Sequence, residues 1–241
     1  MNRKFFLQSA TLGIGALAFQ QSLLAQIFQQ EAWKIKMLTD NIGVFTERGG
    51  TILFYISKEG MVVVDTQFPE QSNHLIDELK KRSEQPFKLL INTHHHGDHS
   101  GGNISFKGLV ENVLAHENSK ANQERVAKQS KTEDKQLFPN QTFGKTWSQK
   151  IGTEKITLHY FGAAHTDGDA LIHFENADIV HMGDLINNRR YPFIDRTAGA
   201  SIKSWIEVLE KTIKHFNKKT TFVYGHASEG FEVYGKVNDI K

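Results

Sequence analysis

The amino-acid sequence contains no cysteine among its 241 residues. A chain without thiols forms no disulfide, has no thiol nucleophile or lipid-modified cysteine, and binds no metal through a thiolate. A metal site in this protein must therefore use histidine, aspartate or glutamate. The sequence supplies 12 histidines and 27 acidic residues for that purpose.

Excess charge of either sign is also scarce. The 29 basic and 27 acidic residues leave a net charge of +2, and two unbalanced positive charges, Arg3 and Lys4, lie within residues 1–25. The rest of the chain is electrically balanced, which argues against binding to nucleic acid. With 39% hydrophobic and 23% charged residues, the composition is that of an ordinary globular protein of one domain.

No hydrophobic run is long enough to span a membrane comfortably. The apolar run at 10–19 follows a short positive region and precedes a cleavage-like site that ends at Ala25. We therefore expect a signal peptide at 1–25, similar to a twin-arginine signal with Lys4 in place of the second arginine, and a single mature domain at 26–241. This predicts export to the periplasm or the medium, by the Sec or the Tat route, without stable membrane insertion after cleavage. An uncleaved N-terminal anchor is the alternative.

Strand-like and helical patterns alternate along the rest of the chain. Apolar, β-branched segments predict strands at 42–47, 51–57, 61–66, 87–92, 155–161, 169–175, 178–184 and 220–226. Helical spacing predicts helices at 70–83, 116–131 and 201–216, whereas 132–147 has no clear period and is predicted to be a loop. Such alternation indicates sheets covered by helices.

The segment "NTHHHGDHSGGN" at 92–103 concentrates titratable side chains directly behind a predicted strand. Side chains two residues apart in an extended segment project to the same side, so His94 and His96 can reach one metal while His95 points away. Gly97 is expected to adopt a positive φ and to turn the chain sharply. That turn would direct Asp98 and His99 to a second metal. A surface histidine tract is the alternative for this segment taken alone.

Three later residues stand in similar positions. His165 lies in "GAAHTDGD", Asp184 in "HMGDL" and His226 in "YGHA", and each follows a predicted strand. Small neighbouring residues leave space for an ion beside each of these side chains. They are therefore further candidate metal ligands.

Taken in order, these motifs resemble those of the metallo-β-lactamase superfamily, over about residues 40 to 230. The resemblance implies an α/β (α+β) fold, the four-layer αββα sandwich, with a dinuclear metal site at one edge of its two sheets. It also implies a role for each motif residue: His94, His96 and His165 on the first metal, Asp98, His99 and His226 on the second, Asp184 bridging both, and Asp65 supporting the ligand loop from behind.

The resemblance further implies a hydrolase with two Zn²⁺ ions per chain, although iron or manganese would also suit histidine and carboxylate ligands. Zinc lowers the pKa of bound water to about 7, so a metal-bound hydroxide would exist at neutral pH. This nucleophile would attack a small carbonyl substrate, such as a β-lactam, a lactone or a thioester. Asp98 would orient the water or carry a proton. The residual positive charge would favour an anionic substrate.

Two positions indicate which branch of the superfamily the chain resembles. His96 stands where the di-iron flavoproteins have glutamate, which favours a hydrolase. Asp184 stands where one group of true β-lactamases has cysteine, which excludes that group. The segment "GDLINNRRYPFIDRTAGAS" resembles an exported branch of β-lactamase-like or quinoprotein-associated hydrolases, and its Asn187 and Asn188 are candidate substrate contacts. A true β-lactamase of low or moderate activity, an iron-dependent redox enzyme and a non-catalytic envelope protein are the alternatives. The sequence does not indicate the oligomeric state.

Overall fold

A computed structural model describes residues 33–240 of the chain. The predicted signal peptide at 1–25 lies outside the described residues, so export and cleavage stay predictions. Among residues 33–240, no helix combines the length and the apolar character needed to cross a bilayer.

The first sheet has seven strands, which neighbour one another in the order of the sequence. They are β1 (Lys34–Met37), β2 (Ile42–Thr46), β3 (Ile52–Ser57), β4 (Gly60–Val64), β5 (Phe87–Ile91), β6 (Val110–His116) and β7 (Gln141–Phe143). Strands β2, β3 and β4 pair antiparallel, whereas β4 to β7 pair parallel. The carboxyl ends of β4 and β5 therefore meet at the same edge of this sheet.

The second sheet has six strands in the order β15-β13-β11-β10-β9-β8, and β12 and β14 form a separate parallel pair. The strands are β8 (Thr146–Ile151), β9 (Glu154–His159), β10 (Leu171–Phe174), β11 (Ile179–His181), β12 (Asn187–Asn188), β13 (Thr221–Val223), β14 (His226–Ala227) and β15 (Tyr234–Gly235). Strands β11 and β13 pair parallel, whereas β8 to β11 pair antiparallel.

The described helices are α1 (Pro69–Arg82), α2 (Gly97–Ser100), α3 (Glu117–Ser130), α4 (Ile202–His215) and α5 (Val237–Ile240). Proline at the first position of α1 suits a helix start, because the missing N–H would be unpaired there anyway. In α4 the Ser201 side chain accepts a hydrogen bond from the Ser204 N–H at 3.3 Å, which satisfies one of the free amides of the first turn.

The main core lies between the two sheets. Alternation along β3 points Leu53 and Tyr55 into this core, where they join buried side chains from β9 and β10. Tyr55 meets Phe174 of the opposite sheet edge-to-face, with ring centroids 6.0 Å apart. A second apolar cluster packs α4, through Trp205 and Val208, on the outer face of the second sheet. Helix α1 buries Leu75, Ile76 and Leu79. The predicted αββα sandwich is therefore confirmed.

The loop predicted at 132–147 is wrong in part. The segment contains a short 3₁₀ turn at Glu133–Lys135, all of β7 and the start of β8. Both strands lie at the edges of their sheets, and β8 is largely exposed. An edge strand with polar side chains shows little hydrophobic period, which is why the sequence pattern missed it.

Candidate metal centre

All seven side chains that the sequence singles out as ligands lie together at one edge of the sandwich. The segment after β5 carries His94, His96, Asp98 and His99. The remaining three come from the β9–β10 connection, from a 3₁₀ turn after β11 and from β14: His165, Asp184 and His226. Four separate chain segments, from the two large sheets and the β12–β14 pair, therefore contribute to one centre.

Three histidine nitrogens converge in the first ligand set. His96 Nδ1 lies 3.0 Å from His94 Nε2 and 2.9 Å from His165 Nε2. The three nitrogens all lie within 4.8 Å of one another. His94 and His165 are buried, whereas His96 retains some exposure. This set has the composition of a three-histidine metal site with one side open.

The second set consists of Asp98, His99 and His226. His226 Nε2 lies 3.1 Å from Asp98 Oδ2 and 3.3 Å from His99 Nε2. The donor atoms of these residues also lie within 4.8 Å of one another. Asp98 and His226 are half-buried and reach the surface of the cavity, whereas His99 is fully buried.

The carboxylate of Asp184 lies between the two sets. Its Oδ1 is 3.1 Å from His99 Nε2, and its Oδ2 is 3.6 Å from His165 Nε2. One oxygen thus faces each set, which is the arrangement that a bridging carboxylate requires. Burial would raise the pKa of Asp184, but the neighbouring His99 lowers it well below its usual range. The side chain is therefore an anion that faces both sets.

Asp65, at the end of β4, supports both sets from behind. It is fully buried and adopts a positive φ of 64°. Its Oδ1 accepts the Thr93 N–H at 2.8 Å, and its Oδ2 accepts from the Thr93 hydroxyl and from His99 Nδ1, both at 2.7 Å. Because an L-residue rarely adopts this backbone conformation, the contacts made by the carboxylate stabilise an unusual local geometry.

These outer contacts determine which nitrogens of the histidines carry protons. Thr93 donates its only hydroxyl proton to Asp65, so it must accept the Nδ1–H of His94 at 3.1 Å. In the same way His165 Nδ1 donates to the Phe193 carbonyl at 2.7 Å, and His96 Nε2 donates to Asp195 Oδ2 at 2.9 Å. The three inner nitrogens therefore face one another with lone pairs, an arrangement that is repulsive without a cation. The residues fit a metal ion.

Sequence reasoning missed Asp195. Its Oδ1 caps the following 3₁₀ turn by accepting from the Thr197 N–H at 3.0 Å, while its Oδ2 holds His96. Burial opposes ionisation, but the hydrogen bonds from Thr197 and His96 lower the pKa of Asp195 to about 2. The spacing Asp-x-Thr suggests a local cap, but nothing in the sequence connects Asp195 with a histidine 99 positions away.

The pKa of His99 in the second set shifts in the opposite direction to those of His94 and His165 in the first. Burial, together with the neighbouring histidines, lowers the pKa of His94 well below its usual value and lowers that of His165 to about 4. Burial also disfavours the charged form of His99, but Asp184 and Asp65 outweigh it and raise the pKa of His99 well above its usual value. A metal ion at the second set must therefore displace a proton that His99 holds in the metal-free protein.

The turn after His96 differs from the expectation. Gly97 begins helix α2 and is absent from the described glycines with positive φ, so the predicted role of its conformational freedom is wrong. Asp98 and His99 reach the second set because one helical turn rotates them away from His96. His95 belongs to neither of the two ligand sets, and its Nε2 lies 3.5 Å from Asp195 Oδ2, where it groups with His96 and Asp195.

A cavity of about 400 Å³ opens above the ligands, and its wall is formed by Asn187, Arg190, Tyr191 and Phe193. Strand pairing places Asn187 beside His226. Asn188 lies outside the residues that line this cavity, and its amide donates to the Glu232 carbonyl at 2.9 Å. Of the two candidate substrate contacts, Asn187 thus faces the centre, whereas Asn188 faces a neighbouring loop.

The fold and the centre together define a class, a two-sheet sandwich with a histidine- and aspartate-rich metal site at one edge. The family model of the metallo-beta-lactamase superfamily matches residues 45–226. The chain belongs to this superfamily, and it is a metal-dependent hydrolase.

Individual relatives are distant but match over most of their length. A metallo-beta-lactamase type 2 of Elizabethkingia meningoseptica is 24% identical over 202 residues, covering 80% of this chain and 78% of the relative. The metallo-beta-lactamase IND-1 of Chryseobacterium indologenes is 25% identical, covering 76% and 75%. The solved structure of a metallo-beta-lactamase from Pontibacter korlensis has the same fold, with a TM-score of 0.72 at 20% identity over 86% of this chain and 95% of that one.

Proposed function

We propose that this protein is a dinuclear zinc hydrolase that acts on a small carbonyl compound of the β-lactam, lactone or thioester type. The observation that carries the proposal is the position of Asp184 between two complete three-ligand sets. Two bound Zn²⁺ ions would supply Lewis-acid polarisation of the carbonyl and would lower the pKa of water to about 7. The sulfur-free ligand set would also accept iron or manganese.

The protein's own residues would hold and orient the reactants. Arg190 and Asn187 form the cavity wall, where a cation and an amide can bind an anionic or carbonyl group of the substrate. Asp98 lies at the surface of the cavity, and its Oδ2 contacts His226. Burial would raise the pKa of Asp98, but His226 and His99 hold it below its usual value. It is therefore a carboxylate at neutral pH and can orient a water or accept a proton at Oδ2.

Metal analysis of the purified protein tests the proposal. We expect about two zinc ions per chain after loading, and metal-dependent hydrolysis in a panel of β-lactams, lactones and thioesters. Asp184→Asn should lower both the metal content and the rate, because the bridging charge is lost. His74→Ala, a histidine at the surface beside Glu47, is the matched control and should behave as the wild type. Binding of less than one metal per chain, or unchanged hydrolysis by Asp184→Asn, would contradict the proposal.

The same panel separates the alternatives. Turnover of β-lactams well above that of the other compounds would favour a true β-lactamase, in line with the relatives named above. Protein that purifies with iron, consumes oxygen and hydrolyses nothing would favour a redox enzyme. Metal-loaded protein that is inactive on all of these substrates would favour a non-catalytic envelope protein.

We also propose that the protein is exported, because residues 1–25 have the charge and apolar pattern of a signal peptide. Cell fractionation and N-terminal sequencing of the mature protein test this. A cytoplasmic protein that retains residue 1 would contradict it.

A further inference from the structure

The segment at 190–194 separates two cavities. Its side chains alternate, as they do in extended backbone. Tyr191 and Phe193 face the cavity above the metal ligands, whereas Pro192 and Ile194 face a second cavity. Arg190 lines both. This short wall therefore lies between the candidate active site and its neighbour, and the two cavities share Asn187 and Arg190.

The second cavity is a groove of about 400 Å³ between this wall and helix α4. One side is formed by residues on successive turns of the helix: Ile202, Trp205, Ile206 and Leu209. Ile202 is 59% exposed and Ile206 is 56% exposed. The fold thus leaves apolar side chains of α4 uncovered within a concave surface that lies beside the metal cavity.

Polar groups in the groove are confined to one end. Three of the described residues that line the groove have polar side-chain groups. One of them, the indole N–H of Trp205, is already hydrogen-bonded, since Nε1 donates to the Leu185 carbonyl at 3.1 Å. The other polar side chains are those of Asn187 and Arg190, and these two residues also line the metal cavity. The groove therefore runs from a polar junction beside the metal ligands along an apolar helix face. From Ile202 to Leu209 that face is about 10 Å long.

We propose that this groove binds an aliphatic acyl chain of the substrate, while the carbonyl group of the same molecule lies over the metal ligands. The inference rests on the proposed hydrolase function and specifies its substrate class as acyl esters, thioesters or acylated lactones. Asn187 and Arg190 line both the groove and the metal cavity. We therefore choose a substrate chain over a second protein as the occupant, because one molecule with a polar carbonyl and an apolar tail matches both cavities at once.

The activity test uses the metal-loaded full-length protein and thioesters with acetyl, butyryl, octanoyl and dodecanoyl chains. Burial of each added methylene should raise kcat/KM by roughly two- to fourfold until the groove is filled. Ile206→Asn should lower the octanoyl-to-acetyl ratio of kcat/KM by at least about fivefold, since it places an amide in the groove. Val126→Asn is the matched control, because Val126 is an apolar, 40% exposed residue on another helix, α3. This variant should keep the wild-type ratio.

A binding test is independent of hydrolysis. Trp205 lines the groove, so ω-bromoundecanoate should quench its fluorescence in zinc-loaded and in chelator-treated protein. The quenching should disappear in Trp205→Phe and weaken in Ile206→Asn. If quenching follows this pattern while no β-lactam, lactone or thioester is hydrolysed, the groove is supported and the proposed hydrolase function fails.

The groove assignment would be overturned if hydrolysis did not depend on chain length and the brominated acid caused no quenching. A dimer that dissociates in Ile206→Asn during sedimentation, at an unchanged octanoyl-to-acetyl ratio, would likewise overturn it and assign the groove to a second copy of the chain.

Discussion

Asp195 Oδ2 accepts a hydrogen bond from His96 Nε2 at 2.9 Å, and so directs the lone pair of His96 Nδ1 toward His94 and His165. A carboxylate in this position orients the ligand and increases its basicity. The contact joins two segments that lie 99 residues apart in the chain.

Asp195→Asn should weaken metal binding at the first ligand set by roughly 10- to 100-fold. Asparagine still caps the 3₁₀ turn, so the change removes the charge that His96 contacts and leaves the local fold in place. Competition with a zinc chelator measures the affinity. Glu124→Gln, an exposed carboxylate on α3, serves as the control and should bind zinc as the wild type does. Equal affinity in both variants would show that Asp195 has no part in metal binding.

Thr93→Val tests the connection from Asp65 through a hydroxyl to His94. The variant leaves the His94 Nδ1–H without its acceptor, and a buried unpaired group costs about 1–3 kcal/mol. We expect weaker zinc binding as well as a lower free energy of unfolding. Thr212→Val removes a buried hydroxyl that donates only within α4, to the Val208 carbonyl at 2.8 Å, and should lower stability without changing zinc affinity. Loss of zinc affinity in both variants would indicate a general effect of stability.

Gly225→Ala should disturb the centre by steric contact. A Cβ atom at this position would collide with Asp184 Oδ1 and would lie 2.8 Å from the Gly183 carbonyl. Because neither neighbour is the end of a flexible chain, Asp184 must move, and we expect fewer zinc ions per chain by metal analysis. Gly144→Ala meets only Glu117 Oε1 at 3.7 Å and should retain the wild-type metal content. A fully loaded Gly225→Ala protein would argue against this position of Asp184.

Acid should destabilise the protein through His159, which lies on β9 away from the metal centre. Burial, with His215 and His173 nearby, lowers the pKa of His159 to about 4, against about 6.5 in an unfolded chain. Glu175 and Lys155 also act on this side chain, in opposite directions. Between these two pKa values the unfolded chain binds a proton that the folded protein does not, so stability falls as the pH decreases from about 6.5 toward 4.

Urea unfolding of chelator-treated protein across that pH range measures this effect. His159→Gln removes the titrating group and should lose less stability than the wild type between neutral pH and pH ~5. Parallel curves for the wild type and His159→Gln would contradict the prediction.

Much of this protein follows from local sequence patterns. Apolar, β-branched runs predicted the central strands because those strands are buried on both faces. The pair His94 and His96 was recognisable because two-residue spacing at a strand end puts both side chains on one side. The absence of cysteine by itself limited the metal ligands to histidine and carboxylates, because no other side chain of this chain offers a strong metal donor.

Only the tertiary structure decided how the centre is supported. The sequence pointed to Gly97 as a residue with an unusual backbone, whereas Asp65 behind the ligands is one of the residues that adopt a positive φ, and it is held by contacts to Thr93 and His99. The edge strand β8, the contact between Asp195 and His96, and the wall at 190–194 also leave no periodic pattern. The contact between Asp195 and His96 joins residues that are distant in the chain and adjacent in space, and a local pattern contains no information about such a pair.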